Sequence, residues 1–242
     1  MFRIWLFFIG ACFGSFFNVV IYRLPLHKSI IKGRSYCPGC YHQLSWYDLL
    51  PIISYLWLRG RCRYCSMKIG ISHLIIESIG GILFVVCFYQ YDLYKMIIVY
   101  FITMLLLVIA LIDIKTFNIY EITILILFVL AIIYRLLTRF DILDIITGSL
   151  IISGLMIGIN LFIKNGFGIG DIELMFVSGV LLGFNKNVLA FMIAVIAGGV
   201  YSLVLLLLKK TTMNSYLPFA PFLATAIFLM LQCENSMYLL LW

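Results

Sequence analysis

Two aspartates in apolar surroundings are the first residues of this 242-residue chain that could do chemistry. Asp113 follows a long apolar run, and Asp171 closes a glycine-rich turn, Gly166-Phe-Gly-Ile-Gly-Asp171, before another apolar run. A carboxylate is costly to keep at membrane depth, so each residue is a candidate functional site. Alone, Asp171 could cap a helix and Asp113 could pair with Lys115. Together, two close carboxylates could share one proton and act as base and acid.

A second chemical signal is a pair of Cys-x-x-Cys motifs in the one long hydrophilic segment. The motifs are Cys37-Pro-Gly-Cys40 and Cys62-Arg-Tyr-Cys65. Each motif lets two thiolates converge on one ion, and two motifs complete the tetrahedral shell of a structural zinc site. Disulfides are disfavoured on a reducing cytoplasmic side, and a redox centre would need only one motif. The pattern therefore predicts one structural zinc.

The composition places these residues in a membrane protein. Apolar residues make up 64% of the chain and charged residues 11%, and the mean hydropathy is +1.14. A globular core cannot absorb this share of apolar surface, whereas a bundle that faces lipid can. The formal charge of +7 would suggest nucleic acid in a soluble chain. Here the basic residues crowd into one loop, so membrane lipid is expected and nucleic acid is not.

The apolar segments predict an all-α polytopic membrane protein with about eight transmembrane helices. The first, 2–22, is interpreted as a retained helix because no small-residue cleavage site follows it. The other seven are expected at 72–90, 95–113, 119–137, 143–163, 172–184, 188–208 and 216–233. All but 172–184 approach the length that a bilayer needs. The predicted domains are the first helix within 1–22, a tetracysteine loop at 23–71 and a seven-helix membrane domain at 72–242.

Small and polar residues in these segments indicate helix packing. Gly-x-x-x-Gly spacing predicts close helix contacts at Gly10/Gly14, Gly154/Gly158 and Gly179/Gly183. Hydrogen bonds to a neighbouring helix are the simplest role for Ser15 and Asn18. Glu77 fits either a buried polar contact or a charge that faces substrate. Core positions are expected for the remaining cysteines, Cys12, Cys87 and Cys233.

Basic residues predict which side of the membrane each loop faces. Between Arg23 and Lys68 there are eight Lys or Arg against one acid, Asp48, which makes this loop cytoplasmic by the positive-inside rule. With the N-terminus outside, twelve basic residues lie inside and five outside. The inside set is completed by Lys115, Lys164, Lys209 and Lys210, and the outside set is Arg3, Lys95, Arg135, Arg139 and Lys186. This orientation places both aspartates at the cytoplasmic face.

In order along the chain, these motifs resemble the type IV prepilin peptidase family of bacterial leader peptidase-methyltransferases. Segments 14–25, 35–65 and 217–222 resemble its N-terminal signature, its zinc-knuckle region and its Pro-Phe-Gly-Pro-Phe segment. Its two catalytic aspartates match Asp113 and Asp171, with Gly168 and Gly170 in the supporting loop. Two positions depart from its pattern. Tyr120 stands where the family usually has proline, and Glu173 stands where it commonly has lysine, which adds a negative charge near the second aspartate.

The resemblance implies an aspartic endopeptidase of the bacterial cytoplasmic membrane. Its substrates would be prepilins or pseudopilins, the subunits of type IV pili, secretion pseudopili or competence pili, which lose a short basic leader. The resemblance also implies N-methylation of the new amino terminus with S-adenosylmethionine, although no glycine-rich dinucleotide-type loop supports that activity here. The resemblance predicts no oligomeric state.

Two other classes stay open at this point. A GxGD protease of the presenilin or signal-peptide-peptidase type would share the carboxylate chemistry but would lack the tetracysteine loop. A non-enzymatic membrane scaffold with a zinc module would keep the cysteines and have no use for Asp113 and Asp171.

Overall fold

The computed structural model describes residues 2–138, 141–163, 166–209 and 216–239. Within these ranges the chain forms α-helices, short 3₁₀ turns and two isolated β-bridges, with no extended strand. The α-helices are α1 (Phe2–Arg23), α2 (Ile53–Trp57), α3 (Ile71–Gln90), α4 (Leu93–Thr116), α5 (Glu121–Leu137), α6 (Ile142–Phe162), α7 (Ile169–Leu182), α8 (Phe184–Leu207) and α9 (Ala220–Leu239). The prediction of an all-α protein is confirmed.

The eight predicted helices are present with shifted ends, and α2 is an additional short helix within the loop. Helix α4 continues to Thr116, so Asp113 lies in its last turn instead of at its end. Phe117 then takes a left-handed conformation, with φ of 55°, which a helix commonly adopts where it stops. Helix α7 begins at Ile169, earlier than predicted, so Asp171 lies in its first turn.

Five of the described helices are long and apolar enough to cross a membrane. These segments are Phe2–Leu26, Ile71–Gln90, Leu93–Thr116, Ile142–Phe162 and Phe184–Leu207. Helix α7, with 14 residues, is short, as the sequence predicts, and α5 has 17 residues. Several apolar spans therefore make this a multi-pass membrane protein.

The described chain packs as two compact units, residues 1–100 and 101–242. In the first unit, α1 lies along α3. A Cβ atom at Gly14 would lie 2.9 Å from Cα of Glu77, and one at Gly80 would lie 2.9 Å from the Gly10 carbonyl oxygen. The predicted close contact at Gly10 and Gly14 is thus confirmed. Asn18 on α1 donates to the carbonyl of His73 at 3.2 Å, which confirms its interhelical role.

In the second unit, α7 packs against α5, α6, α8 and α9. Its Gly179 is in tight contact with Gly148 of α6, which confirms a packing role for Gly179. The same prediction is wrong for Gly154 and Gly158, where an added Cβ would meet no atom of the described residues within 4 Å. The spacing marks a smooth helix face, but it does not determine whether another helix covers that face.

An ion pair between a buried arginine and a half-buried aspartate fixes the corner between α7 and α8. Arg135 is 8% exposed and donates to the carbonyl of Val180 and to Asp144, both at 2.9 Å. The second carboxylate oxygen of Asp144 accepts the backbone N–H of Phe184 at 2.9 Å. Sequence reasoning counted Arg135 only as an outside charge. Three further basic residues that were used to predict the orientation lie outside the described residues: Arg139, Lys164 and Lys210.

Candidate active site and metal site

Asp113 is buried in the last turn of α4, with 5% of its surface exposed. One carboxylate oxygen accepts the backbone N–H of Ala220 at 3.2 Å. Ala220 is the first residue of α9, where backbone N–H groups have no partner within the helix. The start of α9 therefore supplies a fixed donor that orients the Asp113 carboxylate.

Asp171 is held by its own turn. Gly168 is the residue that caps α7, and a Cβ atom added there would lie 3.1 Å from a carboxylate oxygen of Asp171. An acidic side chain that reaches back to the capping residue has the position of one half of a capping box. The Asp171 carboxylate therefore lies against the capping residue, which is compatible with the capping role considered from sequence.

The structure brings the two aspartates together within the second unit. Asp113 and Asp171 lie close enough for their negative charges to repel each other. The Asp113 carboxylate accepts the backbone N–H of Ala220, and the Asp171 carboxylate lies against Gly168. Two neighbouring carboxylates held in this way can share a single proton, with one member ionised and the other protonated. This arrangement can activate a water molecule on one side and polarise a carbonyl group on the other.

At both glycines of the supporting loop, Gly168 and Gly170, a neighbouring side chain leaves little room for a Cβ atom. A Cβ atom at Gly170 would lie 2.7 Å from Cβ of Ile119, and one at Gly168 would lie 3.1 Å from a carboxylate oxygen of Asp171. The segment after Asp113 thus packs directly on the turn. Tyr120 caps α5 in an extended conformation, so the missing proline does not prevent this segment from turning.

Asn160 at the end of α6 anchors the same turn. Its side chain donates to the carbonyl of Phe167 at 2.9 Å and accepts the Phe167 N–H at 2.8 Å. These two hydrogen bonds, one to the N–H and one to the carbonyl of the same residue, have the pattern of a hydrogen-bonded residue pair in a β-sheet. Sequence reasoning missed Asn160, although a polar residue at the end of an apolar helix beside the turn could have indicated it.

Glu173 follows Asp171 by two residues within α7. Residues two apart on a helix do not face each other. We therefore expect the departure at Glu173 to have only a small effect on the dyad.

The four motif cysteines converge in the first unit, as predicted. The sulfur atoms of Cys37, Cys40, Cys62 and Cys65 all lie within 4.8 Å of one another, and those of Cys37 and Cys65 are 3.7 Å apart. A tetrahedral zinc ion with Zn–S bonds of about 2.3 Å requires sulfur atoms about 3.8 Å apart. The cluster therefore fits a metal ion of that size, bound by four thiolates.

The two cysteine motifs repeat one backbone structure with an offset of 25 positions. Isolated bridges join Tyr36 to Gln43 and Arg61 to Lys68. The Cys37 N–H donates to the carbonyl of His42, and the Cys62 N–H donates to that of Met67, at 3.0 and 2.8 Å. In each motif the residue after the second cysteine is left-handed, Tyr41 with φ of 58° and Ser66 with φ of 59°. The sequence shows no such repeat beyond the cysteines themselves.

Charge at the cluster favours a cation. Burial raises the pKa of Cys37, but the backbone N–H groups of Cys40 and Gly39 and the neighbouring thiols bring that pKa down to about 7. The Met67 N–H lowers the pKa of Cys65, but burial and the other three cysteines raise it to about 12. The cluster can therefore stabilise one thiolate by itself, whereas four thiolates need the compensating positive charge of a metal ion.

Glu77 proves to be a buried polar contact instead of a free charge. It is 9% exposed and accepts the backbone N–H of Ile52 at 2.8 Å, and its carboxylate lies near the Ser15 side chain. It therefore ties the loop to α3 and α1. Among the remaining cysteines, Cys87 is buried as predicted, but Cys12 and Cys233 are exposed. A thiol is apolar enough to lie on a helix face that lipid can cover.

The fold and these two sites define a class: a multi-pass α-helical membrane protein with a carboxylate pair at a Gly-x-Gly-Asp turn and a separate four-cysteine cluster. Comparison with known proteins agrees with this class. Residues 8–91 match the Bacterial Peptidase A24 N-terminal domain, and residues 99–203 match the Type IV leader peptidase family. The first matched range lies within the first compact unit, and nearly all of the second lies within the second unit. No solved structure matches the chain.

Curated proteins named prepilin leader peptidase/N-methyltransferase are similar to this chain. The protein from Bacillus subtilis is 32% identical over 229 residues, which cover 90% of this chain and 89% of that protein. The protein from Aeromonas salmonicida is 25% identical over 96% of this chain and 92% of its own length. The match to the protein from Myxococcus xanthus is 41% identical but spans only 47% of this chain and 34% of that protein. The chain belongs to the type IV leader peptidase family.

Proposed function

We propose that this protein is a prepilin peptidase that removes the leader of prepilin-like proteins in the bacterial cytoplasmic membrane. The observation that carries the proposal is the nearness of Asp113 to Asp171, with Asp113 oriented by a backbone N–H, in a chain of this family. The family and the names of its similar proteins support prepilins or pseudopilins as the substrate class. The assignment of Asp113 and Asp171 as the catalytic residues is our own, and substitution of either residue tests it.

In this mechanism the ionised aspartate takes a proton from a water molecule as general base. The water oxygen then attacks the carbonyl carbon of the scissile peptide, while the protonated aspartate donates to the carbonyl oxygen. Collapse of the tetrahedral intermediate breaks the C–N bond, and a proton from the dyad neutralises the leaving amine. Because the Ala220 N–H holds the Asp113 carboxylate and the turn at Gly168 places the Asp171 carboxylate, the geometry is set before substrate binds.

The two rival classes are less compatible with these observations. A signal-peptide-peptidase type of GxGD protease would not need the four-cysteine cluster, and the match over residues 8–91 covers the loop that carries it. A scaffold without activity would have no use for two buried or half-buried carboxylates, which are costly to retain. The first rival predicts cleavage within transmembrane segments, and the second predicts that prepilins stay intact.

We assign zinc to the four-cysteine cluster, with a structural role. Four cysteine ligands leave no open position for a catalytic water. Asp48 supports the loop independently of metal, because it binds Arg63 at 2.8 Å and closes a capping box with Ser45. The metal would therefore fix the two cysteine motifs against each other, and it takes no part in the proposed cleavage.

Eight membrane spans with the N-terminus outside are the topology that we propose, and reporter fusions test it. Fusions after Lys68 should report the cytoplasm, as should fusions after Lys164 and Lys210, because basic loops stay inside. Fusions near Tyr91 and Arg139 should report the outside. An external signal from the Lys68 fusion would overturn the orientation and remove the reducing environment on which the zinc assignment depends.

N-methylation is the second activity that the names of the similar proteins suggest. Glu77, the carboxylate considered for a cofactor site, is buried and already paired with Ile52, and it lies near Ser15. It therefore does not fit a role as a free ligand for S-adenosylmethionine, and we derive no step through that cofactor. If the protein methylates, mass spectrometry of substrate cleaved with S-adenosylmethionine present should show a mass increase of one methyl group. An unmodified amino terminus under those conditions would exclude the activity.

A further inference from the structure

The short helix α2 in the loop of the first unit has an exposed apolar face. Ile53, Leu56 and Trp57 are 46%, 62% and 80% exposed, and the spacing i, i+3 and i+4 places their side chains on one side of the helix. Tyr55 lies on the opposite side and is half-buried. Its hydroxyl donates to the carbonyl of Ile69 at 3.3 Å. One face of α2 is therefore fixed to the protein, and the apolar face is open.

Two further hydrogen bonds hold α2 beside the start of α3. The Ile52 N–H donates to the Glu77 carboxylate at 2.8 Å, and the Ile69 N–H donates to the carbonyl of Gly60 at 2.7 Å. Glu77 follows Ile71, the first residue of α3, by about 9 Å along the helix axis, at a rise of about 1.5 Å per residue. Helix α3 is long and apolar enough to cross a membrane. The residue before α2 is thus held level with the first two turns of a membrane span.

Basic side chains follow the apolar face along the chain. Arg59 and Arg61 come soon after Trp57, and both are exposed. An isolated bridge joins Arg61 to Lys68, which places a third cation beside them. Within the part of the chain that the structure describes, neither arginine forms an ion pair. The segment therefore combines an open apolar face with uncompensated positive charge.

We propose that α2 is an interfacial anchor, which lies in the headgroup layer of the membrane surface where α3 enters and binds anionic phospholipid through Arg59 and Arg61. Tryptophan is enriched at this level of membrane proteins. An amphipathic segment of this kind buries its apolar face about 5–10 Å into the boundary between headgroups and acyl chains. Lipid satisfies both parts of the segment at once, because the phosphates attract the arginines and the acyl chains cover the apolar face.

Such an anchor would also fix the loop that carries the four-cysteine cluster. Helix α2 lies between the two cysteine motifs along the chain, so its attachment to lipid would hold both motifs near the membrane surface. The inference uses residues of the first unit alone. It therefore stands or falls independently of the peptidase assignment.

Trp57 can report on its own surroundings once the other tryptophans are replaced. The variant Trp5→Phe/Trp46→Phe/Trp242→Phe keeps Trp57 alone and is reconstituted into vesicles of phosphatidylcholine and phosphatidylglycerol. Lipids brominated near the headgroup should remove most of the Trp57 fluorescence, and lipids brominated near the chain ends should remove less. Acrylamide, a quencher dissolved in the water, should have little effect. If this variant does not accumulate, the difference between wild-type protein and Trp57→Phe gives the same quantities.

Two double variants separate the apolar and the charged parts of the anchor. Ile53→Asn/Leu56→Asn should expose Trp57 to acrylamide and abolish its quenching by brominated lipid. Arg59→Gln/Arg61→Gln should raise the exposed fraction of Trp57 in vesicles that contain phosphatidylglycerol by about fivefold for each arginine. In vesicles of phosphatidylcholine alone, the same variant should behave as the protein with both arginines does.

Tyr41→Asn is the matched control. It removes a ring that is 77% exposed from the same loop, at a left-handed position with φ of 58° that Asn tolerates. Trp57 should stay as protected as in the protein without this change.

Three results would overturn the anchor. Free quenching of Trp57 by acrylamide in vesicles would place α2 in water. Protection from acrylamide without quenching by brominated lipid would show that protein, and not lipid, covers the apolar face. Equal protection with and without phosphatidylglycerol would refute anionic phospholipid as the partner.

Discussion

Replacing Asp113 or Asp171 by Asn should slow prepilin cleavage by about 10²- to 10⁴-fold, the contribution that positioned acid–base groups make. The amide cannot accept a proton from water or donate one to the leaving amine, so either change leaves the pair without one of its two roles. The hydrogen bond from the backbone N–H of Ala220 can still be accepted by the amide oxygen of the Asp113→Asn variant. The fold should therefore survive, and membrane insertion and metal content should match the wild-type protein.

Asp141→Asn is the matched control for this substitution. Asp141 caps α6 by accepting the Leu143 N–H at 3.0 Å, and Asn caps helices as well as Asp does. Its cleavage rate should stay at the wild-type level. Normal cleavage of a verified substrate by Asp113→Asn or Asp171→Asn would refute the proposed mechanism, whatever the family similarity.

The same pair predicts the response to longer side chains and to pH. Glu at either position moves the carboxyl group by about 1.5 Å, and a misplacement of that order can cost about 10²-fold in rate. Activity should also follow a bell-shaped pH profile, since the pair works only while it holds one proton. The two apparent pKa values of that profile would belong to the pair and not to single residues. A profile with a single limb would argue against proton sharing.

Loss of bound metal from the Cys37→Ser/Cys40→Ser double variant is the second large effect that we expect. Wild-type protein should contain about one zinc per chain, and removal of two of four ligands should reduce this to near zero. The loop between α1 and α3 should then be cut more readily by proteases, because metal binding and local folding are coupled. Elemental analysis and limited proteolysis of purified protein measure the two effects.

The control for this variant uses cysteines outside the cluster. Cys12 and Cys233 are exposed on α1 and α9, so the Cys12→Ser/Cys233→Ser double variant changes the same number of thiols. It should keep both its metal and its resistance to proteolysis. Full zinc content in the Cys37→Ser/Cys40→Ser variant would show that the ion, if present, binds elsewhere.

The sequence by itself determined the features that depend on neighbours along the chain. The spacing within each cysteine motif sets a short turn, and the two motifs together predicted the observed cluster. Apolar segment length predicted the helices to within a few residues, because a helix satisfies its own backbone within the membrane. The Gly-x-Gly-Asp turn placed Asp171 in the first turn of α7, where a carboxylate can bind the backbone of the capping residue.

Only the tertiary structure determined which distant residues contact each of these features. The donor to Asp113 comes from Ala220, 107 positions away, and the side chain over Gly170 is that of Ile119. Tertiary structure also decided that Arg135 is paired and buried, and that no other part of the described chain covers Gly154. In a soluble helix an apolar stripe marks the face that packs. In a membrane helix lipid and protein are both apolar partners, so hydrophobicity no longer distinguishes them and packing is decided by shape and hydrogen bonds between distant residues.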